Sequence, residues 1–271
     1  MYRLFWADEG GLPANDRGLA YGDGLFETIL MREHRGVLLS RHLERLARDA
    51  GRLGIPVSRG ALREVVTEAG NRFAGRFDND WVLKLILTRG EGGRGYRPEP
   101  GMKPNLLVSA GPAPSAVGPA GVTADISPVP LTVNPLFAGM KSLNRIEQVM
   151  AARDLGHGVY EALMTDPSGA LVEGTRTNLL LHRQDGWVTP PLRSLAVAGV
   201  MRQWVLERLR ANGETVTERA LAVEDILGPG CLGFYLLNSV LGAVPVRNLA
   251  GHDLPVEAGL ATICNPLETL E

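Results

Sequence analysis

The amino-acid sequence predicts a mixed α/β (α+β) fold that is divided into two domains. Segments with helical periodicity and segments rich in strand formers follow one another without a regular strand–helix–strand alternation. The 271 residues suffice for one large domain or two modest ones. Residues 110–121 (AGPAPSAVGPAG) carry three prolines and three glycines, a composition typical of an extended linker. We therefore expect an N-terminal domain over residues 1–110, a linker over 111–121 and a C-terminal domain over 122–271.

A helix and a buried strand are the most strongly patterned elements of the first domain. A stripe of apolar residues over positions 43–53 predicts a core-facing helix, with Ser40 as its N-cap and Gly54 just beyond its end. Residues 81–88 (WVLKLILT) are almost entirely apolar and predict a buried strand. Weaker patterns predict a strand over 35–39, a helix over 61–69 and a strand over 105–109.

The second domain is predicted to mix strands with helices. Its first helix spans residues 142–155 and places Leu143, Ile146, Val149 and Met150 on one face. The other predicted elements are a hairpin over 160–165 and 170–173, strands at 177–182, around Trp187, at 233–237 and at 244–247, and a helix over 200–211.

Composition and charge exclude several functional classes. A formal net charge of −2 provides no basic surface for nucleic acid. No apolar run reaches the roughly 18–20 residues of a membrane span, and the first residues do not resemble a secretory leader. Cys231, Cys264 and the five scattered histidines lack the spacing of metal ligands. We therefore expect a cytoplasmic protein without a metal site, a membrane contact or a nucleic-acid partner.

The glycine-rich segment Gly90–Gly95 matches the pattern GxGxxG and follows a predicted strand. A dinucleotide site also requires a helix to begin at the last glycine, and the following residues, YRPEPG, cannot begin one. Two interpretations remain. The segment is either a surface loop or a flexible active-site loop that presents Arg94 and Tyr96.

Four sites carry groups that could take part in catalysis or binding, and each also has an interpretation without a functional role. Lys141 precedes a predicted helix, whose dipole favours the neutral amine that forms Schiff bases; a solvated surface lysine is the alternative. Glu173 ends a predicted strand and Arg45 lies on a predicted helix, and both positions are also common on exposed surfaces. The N–H groups at the helix start near Val200 could hold a phosphate or only water.

Taken together, several motifs resemble one family, the fold type IV pyridoxal-phosphate enzymes, which includes the branched-chain and D-amino acid aminotransferases. Within this family, the GGRGY loop, the KSLNRIEQV run and the NSVLGAVPV ending favour the lyase members, because branched-chain aminotransferases typically carry a TGTAAEV-like segment near the last of these. The segments that carry the resemblance are DRGLAYGDGLFET (16–28), RHLERL (41–46), TRGEGGRGY (88–96), GMKSLNRIEQV (139–149), VEGTRTNL (172–179), AGVMRQ (198–203) and NSVLGAVPV (238–246).

The resemblance implies a two-domain fold with pyridoxal phosphate at the domain interface, attached to Lys141 through a Schiff base. It implies that Glu173 faces the pyridine nitrogen, where an anion keeps the ring protonated. The implied contacts of the cofactor phosphate are Arg45, Val200, Met201 and Ser239. For the substrate, the chemistry and loop position of Arg94, more than a motif, make it the candidate for binding a carboxylate, and Tyr96 is expected to help line the pocket. Arg176 departs from the small residues that relatives often have in its segment, and no role is assigned to it.

The implied activity is the conversion of 4-amino-4-deoxychorismate to 4-aminobenzoate and pyruvate, a step of folate biosynthesis, by a homodimeric cytoplasmic enzyme. An aminotransferase for D-amino acids or branched-chain amino acids is the first alternative. A catalytically silent binding protein is the second, although such a protein need not keep Lys141, Glu173 and Arg45 together.

Overall fold

The structure is a computed structural model that describes residues 2–257, 259–264 and 269–271. Its described residues form two compact units. The first unit comprises residues 2–114, 141–144 and 269–271, and the second comprises residues 115–140, 145–257 and 259–264. Within the described residues, no helix combines the length and the apolar character that crossing a bilayer requires.

The first unit is a five-stranded sheet with helices α2 and α3 beside it. The strand order is β1-β5-β4-β2-β3, and every neighbouring pair is antiparallel except β1 and β5. Helix α2 contacts both β2 and α3. The elements are β1 (Arg3–Trp6), α1 (Arg17–Tyr21), β2 (Gly24–Arg32), β3 (Arg35–Gly36), α2 (Leu39–Leu53), α3 (Arg59–Phe73), β4 (Trp81–Thr88) and β5 (Asn105–Pro112).

The predicted helices and strands of this half are confirmed, with changes at their ends. Strand β4 has the predicted bounds, and α2 ends as predicted at Gly54, which adopts the left-handed conformation. The prediction of Ser40 as the N-cap is wrong. The helix begins at Leu39, directly after Leu38, whose φ of 55° is not an extended conformation. The predicted strand over 35–39 is therefore shortened to β3. Strand β2 was not predicted.

The second unit contains a nine-stranded sheet among its described residues. The strand order is β11-β10-β9-β12-β13-β6-β7-β8, and β14 pairs with β13. The elements are β6 (Val122–Ile126), α4 (Ile146–Arg153), β7 (Glu161–Thr165), β8 (Leu171–Gly174), β9 (Asn178–Arg183), β10 (Gly186–Thr189), α5 (Val200–Ala211), β11 (Val216–Glu218), α6 (Val223–Leu227), β12 (Cys231–Asn238), β13 (Gly242–Leu249), β14 (His252–Asp253) and α7 (Gly259–Ile263).

Helix α4 differs most from its prediction. It begins at Ile146 instead of residue 142, and its predicted apolar face is wrong: Ile146 and Val149 are exposed, while Gln148 and Ala151 are buried. By contrast, the predicted helix over 200–211 is confirmed with the same bounds. The predicted hairpin is confirmed by the antiparallel pairing of β7 and β8.

The short segment Lys141–Asn144 belongs to the first unit because it pairs with β2. Phe26 N–H donates to the Lys141 carbonyl over 3.0 Å, and Leu143 N–H donates to the Gly24 carbonyl over 3.0 Å. The first of these bonds occupies the Lys141 carbonyl, which a helix beginning at residue 142 would use as an acceptor. The contacts thus group Lys141 with the first unit, whereas the sequence places it in the C-terminal domain; the boundaries at residues 110 and 122 stay a prediction.

Strand β4 and the lysine segment together leave no room for a side chain at Gly24. A Cβ atom at Gly24 would lie 2.5 Å from the Leu87 carbonyl oxygen and 2.9 Å from Leu143 Cδ1. We expect Gly24→Ala to lower the free energy of unfolding by about 1–3 kcal/mol. Gly51 in α2 is the matched control, since a Cβ there meets no atom within 4 Å.

Gly51→Ala is expected to stabilise the protein by about 0.5–1 kcal/mol, because alanine is the better helix former. Urea unfolding of both variants gives the comparison. If Gly24→Ala were as stable as Gly51→Ala, the close packing at Gly24 would be contradicted.

Candidate active site

Lys141 is held through its main chain at the start of β2, and its side chain lies over an aromatic ring. Its Nζ atom is 4.3 Å from the centroid of the Phe26 ring. The helix that follows begins only at Ile146, and the dipole of a helix acts within its first turn. The dipole therefore gives no basis for a neutral amine at Lys141. What positions the lysine is the pairing of its segment with β2.

Arg45 is buried and forms a two-point ion pair with Glu27. Its Nε donates to Glu27 Oε1 over 2.8 Å, and its Nη2 donates to Glu27 Oε2 over 2.6 Å. His42 Nδ1 lies 2.6 Å from the same Oε2. His42 and Arg45 are three residues apart and therefore lie on the same face of α2. The alternative of a solvated Arg45 is excluded, since the residue is only 5% exposed.

The charges of this cluster fix its protonation. Burial, the largest single effect, raises the pKa of Glu27, but the charge of Arg45 and the interactions with His42, including the hydrogen bonds from both residues, together lower it to about 2. Burial lowers the pKa of His42, and the charges of Arg45 and Lys141 act in the same direction against the attraction of Glu27. A neutral histidine beside an ionised carboxylate must donate from Nδ1, so its Nε2 carries a lone pair.

His42 Nε2 is a buried polar atom without a hydrogen-bond partner in the part of the chain that the structure describes. Burying such an atom unpaired costs about 1–3 kcal/mol. Neither Glu27 nor His42 was singled out from the sequence. Both lie in segments that carry the family resemblance, and the three-residue spacing of His42 and Arg45 was the signal available.

The glycine-rich loop is anchored on α1 by Arg17. Arg17 Nη1 donates to the Gly95 carbonyl over 3.0 Å, and Nη2 donates to the Tyr96 carbonyl over 2.7 Å. The side chain of Arg94 is exposed, and that of Tyr96 is 83% exposed with its ring packed against Tyr21. The loop thus presents both predicted substrate residues to the surface of the first unit, and their contact with a substrate stays a prediction.

Glu173 is the carboxylate of the second unit that we predicted to be functional. It lies in β8, one residue before the strand ends at Gly174, and it is buried, so the interpretation as an exposed turn residue is wrong. Val197 N–H donates to Glu173 Oε2 over 3.0 Å and fixes the orientation of the carboxylate. A buried carboxylate held in this way can face a protonated ring nitrogen.

The N-terminus of α5 lies next to the segment that holds Glu173. Asn178 Nδ2 donates to the Val197 carbonyl over 3.0 Å. A Cβ atom at Gly199, the residue before the helix, would lie 1.9 Å from Asn178 Oδ1, so only glycine fits. Gly199 has no side chain that could cap the helix, and the N–H groups of Val200 and Met201 have no acceptor within the helix. This arrangement is suited to an anion.

Ser239 lies on the turn between β12 and β13. Asn238 Oδ1 accepts the N–H groups of Val240 over 2.8 Å and Leu241 over 3.3 Å and so shapes the turn. Ser239 is half-buried.

The predicted residues therefore form two groups, each within one unit. Lys141 lies near the cluster of Arg45, Glu27 and His42 in the first unit, and Glu173 lies near the start of α5 in the second. Among the described residues, no group of three or more histidine, cysteine or acidic side chains could hold a metal ion.

Comparison with known proteins identifies the family. A family model for class IV amino-transferases matches residues 24–249. The curated aminodeoxychorismate lyase of Vibrio harveyi is 30% identical over 98% of each chain. The bifunctional aminodeoxychorismate lyase / D-amino acid transaminase of Mycobacterium tuberculosis is 28% identical over 90% of this chain and 88% of its own. The crystal structure of 4-amino-4-deoxychorismate lyase from Pseudomonas aeruginosa matches with a TM-score of 0.87 at 39% identity, covering 94% of this chain and 93% of that one.

The mixed α/β fold is that of the fold type IV pyridoxal-phosphate enzymes, as predicted. The chain belongs to the class IV aminotransferase family, whose members depend on pyridoxal phosphate.

The ion pair of Glu27 can be tested by the variant Glu27→Gln. Removal of the carboxylate leaves the buried Arg45 without its compensating charge, and we expect the free energy of unfolding at pH 7 to fall by about 3–5 kcal/mol. Because the pKa of Glu27 falls from 4.5 to about 2 on folding, its contribution is complete above pH 4.5 and is lost as the pH falls towards 2.

Urea unfolding between pH 7 and pH 2 measures both effects. Wild type is expected to lose this component in the acid range, whereas Glu27→Gln never has it. Glu44→Gln, on the exposed face of α2, is the control and should change stability by less than about 0.5 kcal/mol. Parallel stability profiles of wild type and Glu27→Gln would contradict the ion pair.

Proposed function

We propose that this chain is a pyridoxal-phosphate-dependent lyase that converts 4-amino-4-deoxychorismate to 4-aminobenzoate and pyruvate. The observation that carries the proposal is the match to the P. aeruginosa lyase, which extends over 94% of the chain at 39% identity. The buried and oriented Glu173 and the positioned Lys141 support an active enzyme over a silent binding protein.

Each unit carries groups that suit one part of the cofactor. Lys141 provides a primary amine for its aldehyde, and Glu173 provides a buried anion for its pyridine nitrogen. Arg45 and the N–H groups of Val200 and Met201, together with the Ser239 turn, suit its phosphate. The unpartnered Nε2 of His42 and the missing side-chain cap of α5 leave polar groups for a ligand to satisfy.

The proposed reaction divides the work among these residues. When bound, pyridoxal phosphate supplies an electron-accepting ring conjugated to the substrate amine. Lys141 Nζ would hold the cofactor and would act as the base that takes the proton from C4 of the substrate. Glu173 holds a proton at the pyridine nitrogen, and Arg45 orients the phosphate. The C3–O bond of the substrate then breaks with its electron pair on oxygen, the enolpyruvate that leaves takes up the proton removed from C4 and becomes pyruvate, and the remaining ring becomes aromatic.

Amine transfer is the second candidate activity. The M. tuberculosis relative that is 28% identical to this chain bears both the lyase and the D-amino acid transaminase names. A transaminase requires the same lysine, carboxylate and phosphate contacts but also a keto acid that accepts the amine. Dependence of turnover on a keto acid separates the two activities.

The finer biological setting is also inferred. Leu136, Phe137, Ile146 and Val149 are large apolar side chains that are exposed in the second unit, which supports a protein–protein contact of a homodimer. Cys231 and Cys264 are buried thiols, which is in keeping with the reducing cytoplasm. The products place the enzyme in the synthesis of the folate precursor.

The direct test supplies purified holoenzyme with 4-amino-4-deoxychorismate and no keto acid. We expect 4-aminobenzoate and pyruvate to form in equal amounts, because elimination needs no second substrate. Pyruvate is measured by coupling to lactate dehydrogenase and 4-aminobenzoate by its fluorescence. If these products do not form, and the amine is transferred once a D- or L-amino acid and a keto acid are added, the chain is a transaminase instead.

Lys141→Ala tests the role of the lysine. Loss of its amine should abolish the visible absorbance of the covalently bound cofactor and lower turnover by at least about 10²- to 10⁴-fold. Lys84→Ala is the matched control, because Lys84 Nζ lies 5.5 Å from the centroid of the same Phe26 ring on an exposed side chain. A Lys141→Ala enzyme with the turnover of Lys84→Ala would sink the proposed mechanism.

A further inference from the structure

Arg176 has no role in the activity derived so far, yet its surroundings are unusually ordered for a half-exposed arginine. It lies on the turn between β8 and β9, three residues beyond Glu173. Its side chain is 53% exposed. An arginine on an exposed turn normally keeps most of its rotamer freedom. Here both the backbone and the guanidinium are held.

A buried carboxylate holds the backbone of the turn. Glu161 is fully buried at the start of β7, and its Oε1 accepts the N–H of Thr175 over 3.0 Å. Its Oε2 accepts the Thr177 hydroxyl over 2.9 Å. Thr175 and Thr177 flank Arg176, so Glu161 fixes the turn from the interior side.

A second contact joins Arg176 to the turn that contains Ser239. Asn238 Nδ2 donates to the Arg176 carbonyl over 2.7 Å, while Oδ1 of the same side chain accepts the Val240 N–H over 2.8 Å. One asparagine therefore ties the Arg176 turn to the Ser239 turn. Arg176 thus follows Glu173, which we assign to the cofactor ring, by three residues, and its carbonyl is bonded to the residue before Ser239, which we assign to the cofactor phosphate.

The guanidinium itself is oriented by Tyr160. Its carbon lies 4.7 Å from the centroid of the Tyr160 ring, and Nη2 donates to the Tyr160 carbonyl over 2.8 Å. The Nε atom is 3.9 Å from Glu161 Oε2, a carboxylate whose oxygens already accept other hydrogen bonds. No further hydrogen bond from this guanidinium occurs within the described residues. Donors of a fixed, planar cation therefore remain for an anion.

We propose that Arg176 binds a carboxylate of the substrate and thereby selects dicarboxylic substrates. The inference rests on the proposed function, since 4-amino-4-deoxychorismate carries two carboxylates: one on the ring and one on the enolpyruvyl group. Arginine is the side chain best matched to a carboxylate, because its planar donors meet both oxygens. The fixed guanidinium reduces the entropy lost when the substrate binds.

The test compares holoenzyme variants at this position. Arg176→Met keeps an unbranched stem that can pack on Tyr160 and removes the charge; it is expected to raise KM for 4-amino-4-deoxychorismate by about 10- to 100-fold, with a smaller effect on kcat. Arg176→Lys keeps the charge without the planar fork and should lie between. Arg210→Met is the control, because Arg210 is similarly exposed, at 48%, and pairs with Glu218 at the far end of α5.

Product inhibition shows which carboxylate is bound. Inhibition constants are measured for pyruvate, for 4-aminobenzoate and for its uncharged amide, together with the cofactor absorbance. We expect the constant of one acid to rise with KM in Arg176→Met, while the amide and cofactor retention stay unchanged. If Arg176→Met fails to retain the cofactor, KM and the inhibition constants are measured for Arg176→Gln instead.

The outcomes separate the two proposals. A wild-type enzyme that forms no 4-aminobenzoate would overturn the proposed function and this assignment with it. An active wild type, with KM and both acid inhibition constants of Arg176→Met within about twofold of wild type, would overturn the assignment of Arg176 alone.

Discussion

The ion pair between Glu27 and Arg45 links the two elements of the first unit on which its functional groups depend. Glu27 belongs to β2 and Arg45 to α2, so the pair fixes the helix on the sheet as well as the guanidinium itself. Two hydrogen bonds from one arginine also leave little rotational freedom about its side chain. If Arg45 holds the cofactor phosphate, its donors are aimed before the cofactor arrives.

Strand β2 also positions the segment that contains Lys141. Strand β3 pairs with β2 only at Met31 and Arg32, so the opposite end of that edge is open to another partner. The segment that contains Lys141 occupies it, through the bonds to Phe26 and Gly24. The side chain of one β2 residue thus holds Arg45, and the main chain of its neighbours holds Lys141. A disturbance of β2 would reach both groups together.

The sequence indicates local elements well where packing agrees with local pattern. Strand β4 and helix α5 have the predicted bounds because their apolar patterns match the faces they bury. Helix α4 fails this condition: its apolar stripe suggested a buried face, but pairing of the preceding residues with β2 delays its start and turns Ile146 and Val149 outward. Strand β2 was missed although its burial alternates, because its motif was weighed only as a family resemblance.

The chemistry divides along the same line. Lys141, Glu173 and Arg45 were predicted from motif resemblance, and their roles stay predictions; the structure adds their burial and partners. For Glu27 and His42, the only local signal was the three-residue spacing of His42 and Arg45. Their partner Glu27 lies on another element, 15 residues from His42 and 18 from Arg45 in the chain, so the local pattern does not reveal the cluster. The ordering of Arg176 by Glu161 and Asn238 likewise requires three strands to be assembled first.

The chain leaves the first unit after residue 114, returns to it for residues 141–144, and leaves it again. The lysine is therefore encoded inside the gene segment of the second unit but folds with the first. A recombination event that exchanged either contiguous half would separate Lys141 from the strand that positions it. Point substitutions and loop changes can leave this arrangement intact, whereas the exchange of either half would disrupt it.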